Sequence, residues 1–238
     1  MKIGILQCGD VMAELQPEFG NYPAMFESML GDLSPLWQFV TYRVVDGEFP
    51  SIVDDCDGYI TTGSRFGVND GDPWIDELQE FVVAVAQTQK KYVGICFGHQ
   101  LLAKALAGRV EKSDRGWGIG VSFNQIAIKK PWMQPYQSSL DLIVSHQDQV
   151  TQLPPGVEVL ASSPFCPYYM LQYGDHMMSV QGHPEFSKSY ASTLMAKRTG
   201  QIPVARGREG QASLAAKVDD RLMMRWITNF FSGAGERR

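Results

Sequence analysis

The stretch YVGICFGHQLLAKAL, Tyr92 to Leu106, decides how this chain is read. Tyr92 to Ile95 reads as a short buried strand and Gly98 to Leu106 as a helix, so Cys96 falls on the turn between them. A nucleophile on a sharp strand-to-helix turn has a strained backbone and close neighbours. Glycines two residues before and after it, here Gly94 and Gly98, remove side chains that would clash. The helix N-terminus adds positive potential, which favours a thiolate over a thiol. The Phe97 amide would face the oxygen of an attacked carbonyl and supply half of an oxyanion hole. Close packing alone would also produce a Gly-x-Cys-x-Gly pattern, so the motif needs a chemical partner. Cys8, Cys56 and Cys166 lack this setting and read as small core hydrophobes.

Outward from this turn, the first half alternates strand and helix. Lys2 to Gln7, Phe39 to Val45 and Asp57 to Thr62 read as strands. Tyr22 to Leu33 carries Phe26, Met29, Leu30 and Leu33 on one helical face, and a helix beginning at Pro73 runs to about Lys90. That rhythm predicts an α/β fold with a parallel sheet and helices on both faces. Gly116 to Lys129 and Leu140 to Gly182 read as short strands added antiparallel at the sheet edge. Gly200 to Gly210 is polar and reads as a surface loop, and Ser213 to Phe231 as a closing helix.

The bulk numbers fit one domain over residues 1–238. Hydrophobic residues make up 44% and charged residues 20%, ordinary for a globular chain. The formal charge is −5, which argues against a nucleic-acid partner. The terminal pair Arg237-Arg238 is too short to be a basic footprint. No apolar run is long enough for a membrane span or a signal peptide. Four scattered cysteines with no ligand spacing predict free thiols, no metal and a cytoplasmic protein. No organic cofactor is expected.

A cysteine nucleophile needs a base, and the base needs an orienting group. His183 lies in Gln181-Gly182-His183-Pro184-Glu185-Phe186, after the strand-like Met177 to Val180. At that spacing Glu185 can reach back to one imidazole nitrogen and leave the other for the thiol. His99 is expected at a helix–sheet interface and His176 in a turn with Gly174-Asp175.

Gly94-Ile-Cys-Phe-Gly-His-Gln100, followed 87 residues after Cys96 by His183-Pro-Glu185, resembles the class I glutamine amidotransferases. Thr62-Gly63-Ser64 and Val144-Ser145-His146-Gln147-Asp148 extend the likeness over most of the chain. The whole looks closest to the stand-alone GMP-synthase-like branch, which includes γ-glutamyl peptidases. The resemblance implies a flavodoxin-like three-layer sandwich, with a mostly parallel central sheet and antiparallel edge strands. It implies Cys96, His183 and Glu185 as the catalytic triad, working through a γ-glutamyl thioester. It also implies Gly63 and Phe97 as oxyanion donors, and Ser64, Gln100, Ser145 and His146 as substrate contacts. Gln100 and His146 admit a supporting role instead.

The expected reaction is hydrolysis of glutamine to release ammonia, with a separate synthetase as acceptor because none follows in the chain. The alternative is a stand-alone hydrolase of γ-glutamyl amides or peptides; a non-catalytic binding module comes third. The oxyanion loop departs from the usual Gly-Gly-Pro-like form, being Thr62-Gly63-Ser64-Arg65. Arg65 and Asn69-Asp70 read either as the lining of the substrate entrance or as solvated loop charges.

Overall fold

The computed structural model describes residues 1–234, so Arg237-Arg238 lies outside the described residues. Eleven strands and seven α-helices are ordered β1 (Lys2–Leu6), α1 (Gln16–Phe19), α2 (Tyr22–Leu33), β2 (Gln38–Tyr42), β3 (Gly58–Thr61), α3 (Pro73–Thr88), β4 (Lys91–Ile95) and α4 (Phe97–Ala105) in the first half, among the described residues. The second half holds β5 (Arg109–Lys112), β6 (Gly118–Ile126), β7 (Ser139–His146), β8 (Asp148–Gln152), β9 (Val157–Ser162), β10 (Met170–Tyr173), β11 (Met177–Val180), α5 (Lys188–Lys197), α6 (Val204–Ser213) and α7 (Asp220–Ser232).

Nine strands form one sheet in the order β2-β1-β3-β4-β11-β10-β9-β6-β7, while β5 and β8 pair separately. From β2 to β11 every neighbour is parallel, and the first four strands follow the order of flavodoxin-like sheets. Beyond β11 the strands run antiparallel. Thus β11, expected at the edge, instead lies inside the sheet and parallel to β4.

Strand residues alternate between two helical layers, as the two-residue period requires. Ile60, Val93, Ile95, Met178 and Val180 pack with α2 and α7, through Phe26, Leu30, Trp226, Ile227 and Phe230. Tyr59, Tyr92 and Met177 pack on the other face with α3 and α4, through Ile75, Leu78, Val82 and Leu101. α2 starts where the Asn21 side chain accepts from the Tyr22 amide at 3.0 Å. α3 has Pro73 in its first turn and stops at Gln89, whose left-handed φ of 62° cannot continue a helix.

Two expectations from sequence fail near the end. Residues 200–210 are not all loop, because α6 begins at Val204. Gly210 packs so closely that an added Cβ would stand 2.9 Å from Ile119 Cγ2, and Ser213 Oγ accepts from the Val121 amide at 2.9 Å. These tertiary contacts hold a helix that local propensity would not. The closing helix starts at Asp220 rather than Ser213. Asp219 is pinned to β7: its amide donates to the Asp141 carbonyl at 2.8 Å, and its carboxylate accepts from the Asp141 amide at 2.9 Å.

Candidate active site

The site sits at the carboxyl ends of the parallel strands, where open α/β sheets place their ligands. Cys96 joins β4 to α4 with φ 51° and ψ −95°, a strained conformation for a residue with a side chain. Its amide donates to the Val180 carbonyl of β11 at 2.9 Å, and its carbonyl accepts from the Gln100 amide at 3.1 Å. The flanking glycines are required by space. A Cβ on Gly94 would land on the Gly98 carbonyl, and one on Gly98 would stand 2.7 Å from the Thr61 carbonyl oxygen. Only this close approach sets the start of α4 directly over β3 and β4.

His183 leaves the end of β11 and is tied to β7, its amide donating to the Ile143 carbonyl at 2.8 Å. Its ring lies flat on Phe186, with centroids 3.9 Å apart and planes 9° apart. Nδ1 is 2.7 Å from Glu185 Oε1, and both residues are buried. A carboxylate only accepts, so Nδ1 carries a proton and Nε2 is the nitrogen left for other chemistry. Burial alone would depress the imidazolium, but the nearby Cys96 sulfur and the Glu185 carboxylate outweigh it and raise the His183 pKa to about 10. The Cys96 sulfur is thus one of the groups that set the charge of the ring. Burial pushes the thiols of Cys8 and Cys56 up, and that of Cys166 up to about 12.

Gly63 lies just past β3. A Cβ there would stand 2.7 Å from His183 Cε1, so the absence of a side chain lets the loop backbone approach the ring. Phe97 is the first residue of α4, where an amide has no intrahelical partner.

A cavity of about 190 Å³ beside Cys96 and Phe97 is lined by Ser64, Gln100, Ser145 and His146, so the four expected substrate contacts converge on it. Each also has protein partners. Ser64 Oγ donates to the Cys8 carbonyl at 2.7 Å and accepts from the Phe66 amide at 3.1 Å. Ser145 Oγ accepts from Arg198 Nη1 at 2.7 Å. His146 Nδ1 donates to the Asp148 carbonyl at 3.1 Å, and burial holds its pKa down near 4, so the ring is neutral at pH 7. Gln100 Nε2 donates to the Asp148 carbonyl at 2.8 Å and to Gln181 Oε1 at 3.1 Å. Gln181 Nε2 in turn reaches Cys96 Sγ at 3.5 Å. Gln100 therefore steadies the sulfur through Gln181.

Arg65 lines the cavity, whereas Asn69 donates to the Val110 carbonyl at 2.9 Å and Asp70 accepts from the Gly67 amide at 2.7 Å, so this pair serves its own loop. His99 is buried against Ser179 Oγ at 2.9 Å between α4 and β11, and His176 lies in the turn before β11. Sequence reasoning assigned nothing to Gln181, Trp117 or Arg198. Gln181 was visible in the run into His183, but Arg198 follows α5 with no local signal. Among the described residues, no group of three or more His, Cys, Asp or Glu is placed to hold a metal, and no helix is long and apolar enough to cross a membrane.

The family profile described as glutamine amidotransferase class-I matches residues 56–199, more than half of the chain. Gamma-glutamyl peptidase 3 of Arabidopsis thaliana is 34% identical over 178 residues, covering 71% of this chain and 71% of that protein. GMP synthase [glutamine-hydrolyzing] of Thermomicrobium roseum is 39% identical over 105 residues, covering 44% of this chain but 20% of that protein. The crystal structure of a glutamine amidotransferase from Thermotoga maritima superposes with a TM-score of 0.77 over 99% of both chains, at 16% identity, a likeness of fold. With the cysteine turn, the histidine–glutamate pair and the flavodoxin-like sheet in one place, these matches establish the chain as a hydrolytic enzyme of the class I glutamine amidotransferase family.

Proposed function

We propose that this enzyme hydrolyses γ-glutamyl amides larger than glutamine, as a stand-alone γ-glutamyl peptidase of one domain in the cytoplasm. The likeness to gamma-glutamyl peptidase 3 runs over most of both proteins, whereas the likeness to GMP synthase covers a small part of that enzyme. This reverses the order of the two readings drawn from sequence. The observation that carries the chemistry is the 2.7 Å contact between buried Glu185 and His183 beside a cysteine on a strained turn.

In this reading the Cys96 thiolate attacks the γ-carbonyl carbon. The carbonyl oxygen takes the negative charge and is held by the Gly63 and Phe97 amides. As the C–N bond breaks, His183 gives its proton to the departing amine, and a γ-glutamyl thioester remains. A water then loses a proton to His183 and attacks the thioester, releasing glutamate and restoring the thiolate. Glu185 keeps the ring oriented throughout. Ser64, Gln100, Ser145 and His146 shape the cavity for the γ-glutamyl group.

The second reading, a glutaminase that passes ammonia to a separate synthetase, rests on the GMP synthase match. Steady-state assays of purified protein on γ-glutamyl dipeptides and on glutamine decide between them. The dipeptides should give the higher kcat/KM. Cys96→Ser should lose about three orders of magnitude or more in kcat on either substrate, as triad members do. Glutamine preference, or activity surviving in Cys96→Ser, would count against the proposal.

A further inference from the structure

A second cavity, of about 540 Å³, opens beside the first and shares Arg65, Phe66 and Arg198 with it. Val11, Met12, Tyr22, Tyr190 and Leu194 line it. Phe186, which stacks on His183, packs against Tyr22 with centroids 6.2 Å apart and against Tyr190 at 4.6 Å. The Phe186 ring thus stands between His183 and the Tyr22–Tyr190 wall of this second space. Ammonia is about the size of a water, which takes up about 30 Å³ in the liquid. A space this large has no use in releasing ammonia, but it falls in the range of small-molecule sites.

The charge at the neck between the cavities is specific. Arg65 lies 5.0 Å from the centroid of its neighbour Phe66, and Arg198 bonds to the neutral Ser145 hydroxyl and faces the Trp117 ring. Neither guanidinium forms an ion pair among the described residues. At the far end of the cavity Asp10 and Asp46 share Arg43, at 3.1 Å and 2.6 Å, so that end keeps one net negative charge. The neck therefore presents two guanidiniums without a carboxylate partner, and the apolar side chains of Val11, Met12, Tyr22 and Leu194 lie between it and the acidic far end.

Resting on the peptidase reading above, we propose that this cavity is the leaving-group subsite and that it selects an α-amino acid with an apolar side chain. The carboxylate of such a group lies one carbon from the scissile nitrogen, which places it at the neck, where Arg65 binds it. Its side chain extends between Met12, Tyr22 and Leu194.

The test compares γ-glutamyl-leucine with γ-glutamyl-isoamylamide, which differ only in the carboxylate. Wild-type enzyme should favour the dipeptide by about tenfold or more in kcat/KM, the usual effect of one charge-assisted hydrogen bond. Arg65→Gln should bring the ratio close to unity, and Arg65→Lys should restore part of it. Thermal unfolding of each variant verifies that the fold is kept. Equal turnover of the two amides by the wild type, or an unchanged ratio in Arg65→Gln, would overturn the subsite alone. Turnover of glutamine with neither amide cleaved would overturn the peptidase reading and the subsite together.

Discussion

Cys96 keeps a positive φ because its amide, its carbonyl and the two nearby glycines leave it no other arrangement. The imidazole beside it is equally constrained, stacked on Phe186 and held by Glu185. In the proposed reaction the charge of that ring sets the pH range. His183 is raised to about 10, against the pull of burial, by the sulfur and the carboxylate. In the proposed reaction the imidazolium is the acid for the departing amine, so kcat/KM should hold through neutral pH and fall on the alkaline side as that proton is lost. Glu185→Gln removes one of the two anions that raise the pKa. Its alkaline limb should therefore move to lower pH, as a pH–rate profile on a γ-glutamyl amide would record. A limb unmoved by the substitution would mean that Glu185 does not act on the ring's charge.

At the scale of elements, the contact between α4 and β3 is as demanding as any in the site. Ala in place of Gly in an open helix stabilises by about 1 kcal/mol. At Gly98 the sign should reverse, because the new Cβ would press on the Thr61 backbone at 2.7 Å. Gly98→Ala should lower stability in urea unfolding by about 1–3 kcal/mol, the usual cost of overpacking, and should reduce activity by displacing Cys96. This part of the fold was legible from residues 92–106, because glycine spacing reports backbone crowding directly. α2 was equally legible, from Phe26, Met29, Leu30 and Leu33 on one face, although its cap at Asn21 emerged only in the structure. α6 was not, because its polar run with Gly207 and Gly210 is helical through contacts with β6 that no local pattern announces. The interior place of β11 was also hidden, since a four-residue strand such as Met177–Val180 fits an edge or a centre equally well. In the site, the residues on motifs were readable, while Arg198 and Trp117 reach the cavity from elements far apart in the chain.

At the scale of the whole molecule, the four cysteines divide into one that lines a cavity and three set into the core. Cys8 and Cys56 pack among the α3–α4 layer, and Cys166 lies on the opposite side of the sheet. Their thiols are all pushed up by burial. Brief iodoacetamide treatment of the native protein should therefore label one thiol, Cys96, by peptide mass spectrometry, and unfolding should expose all four. A second thiol labelled at a comparable rate in the folded protein would contradict this division.

The strand that delivers His183 docks alongside the strand that ends at Cys96, although some eighty residues of chain separate them. A polypeptide emerging from the ribosome amino end first thus displays its sulfur long before the imidazole has been translated. On the proposed triad, truncated or stalled products lack their base, and hydrolytic power is acquired late, when the fifth parallel strand zips into place.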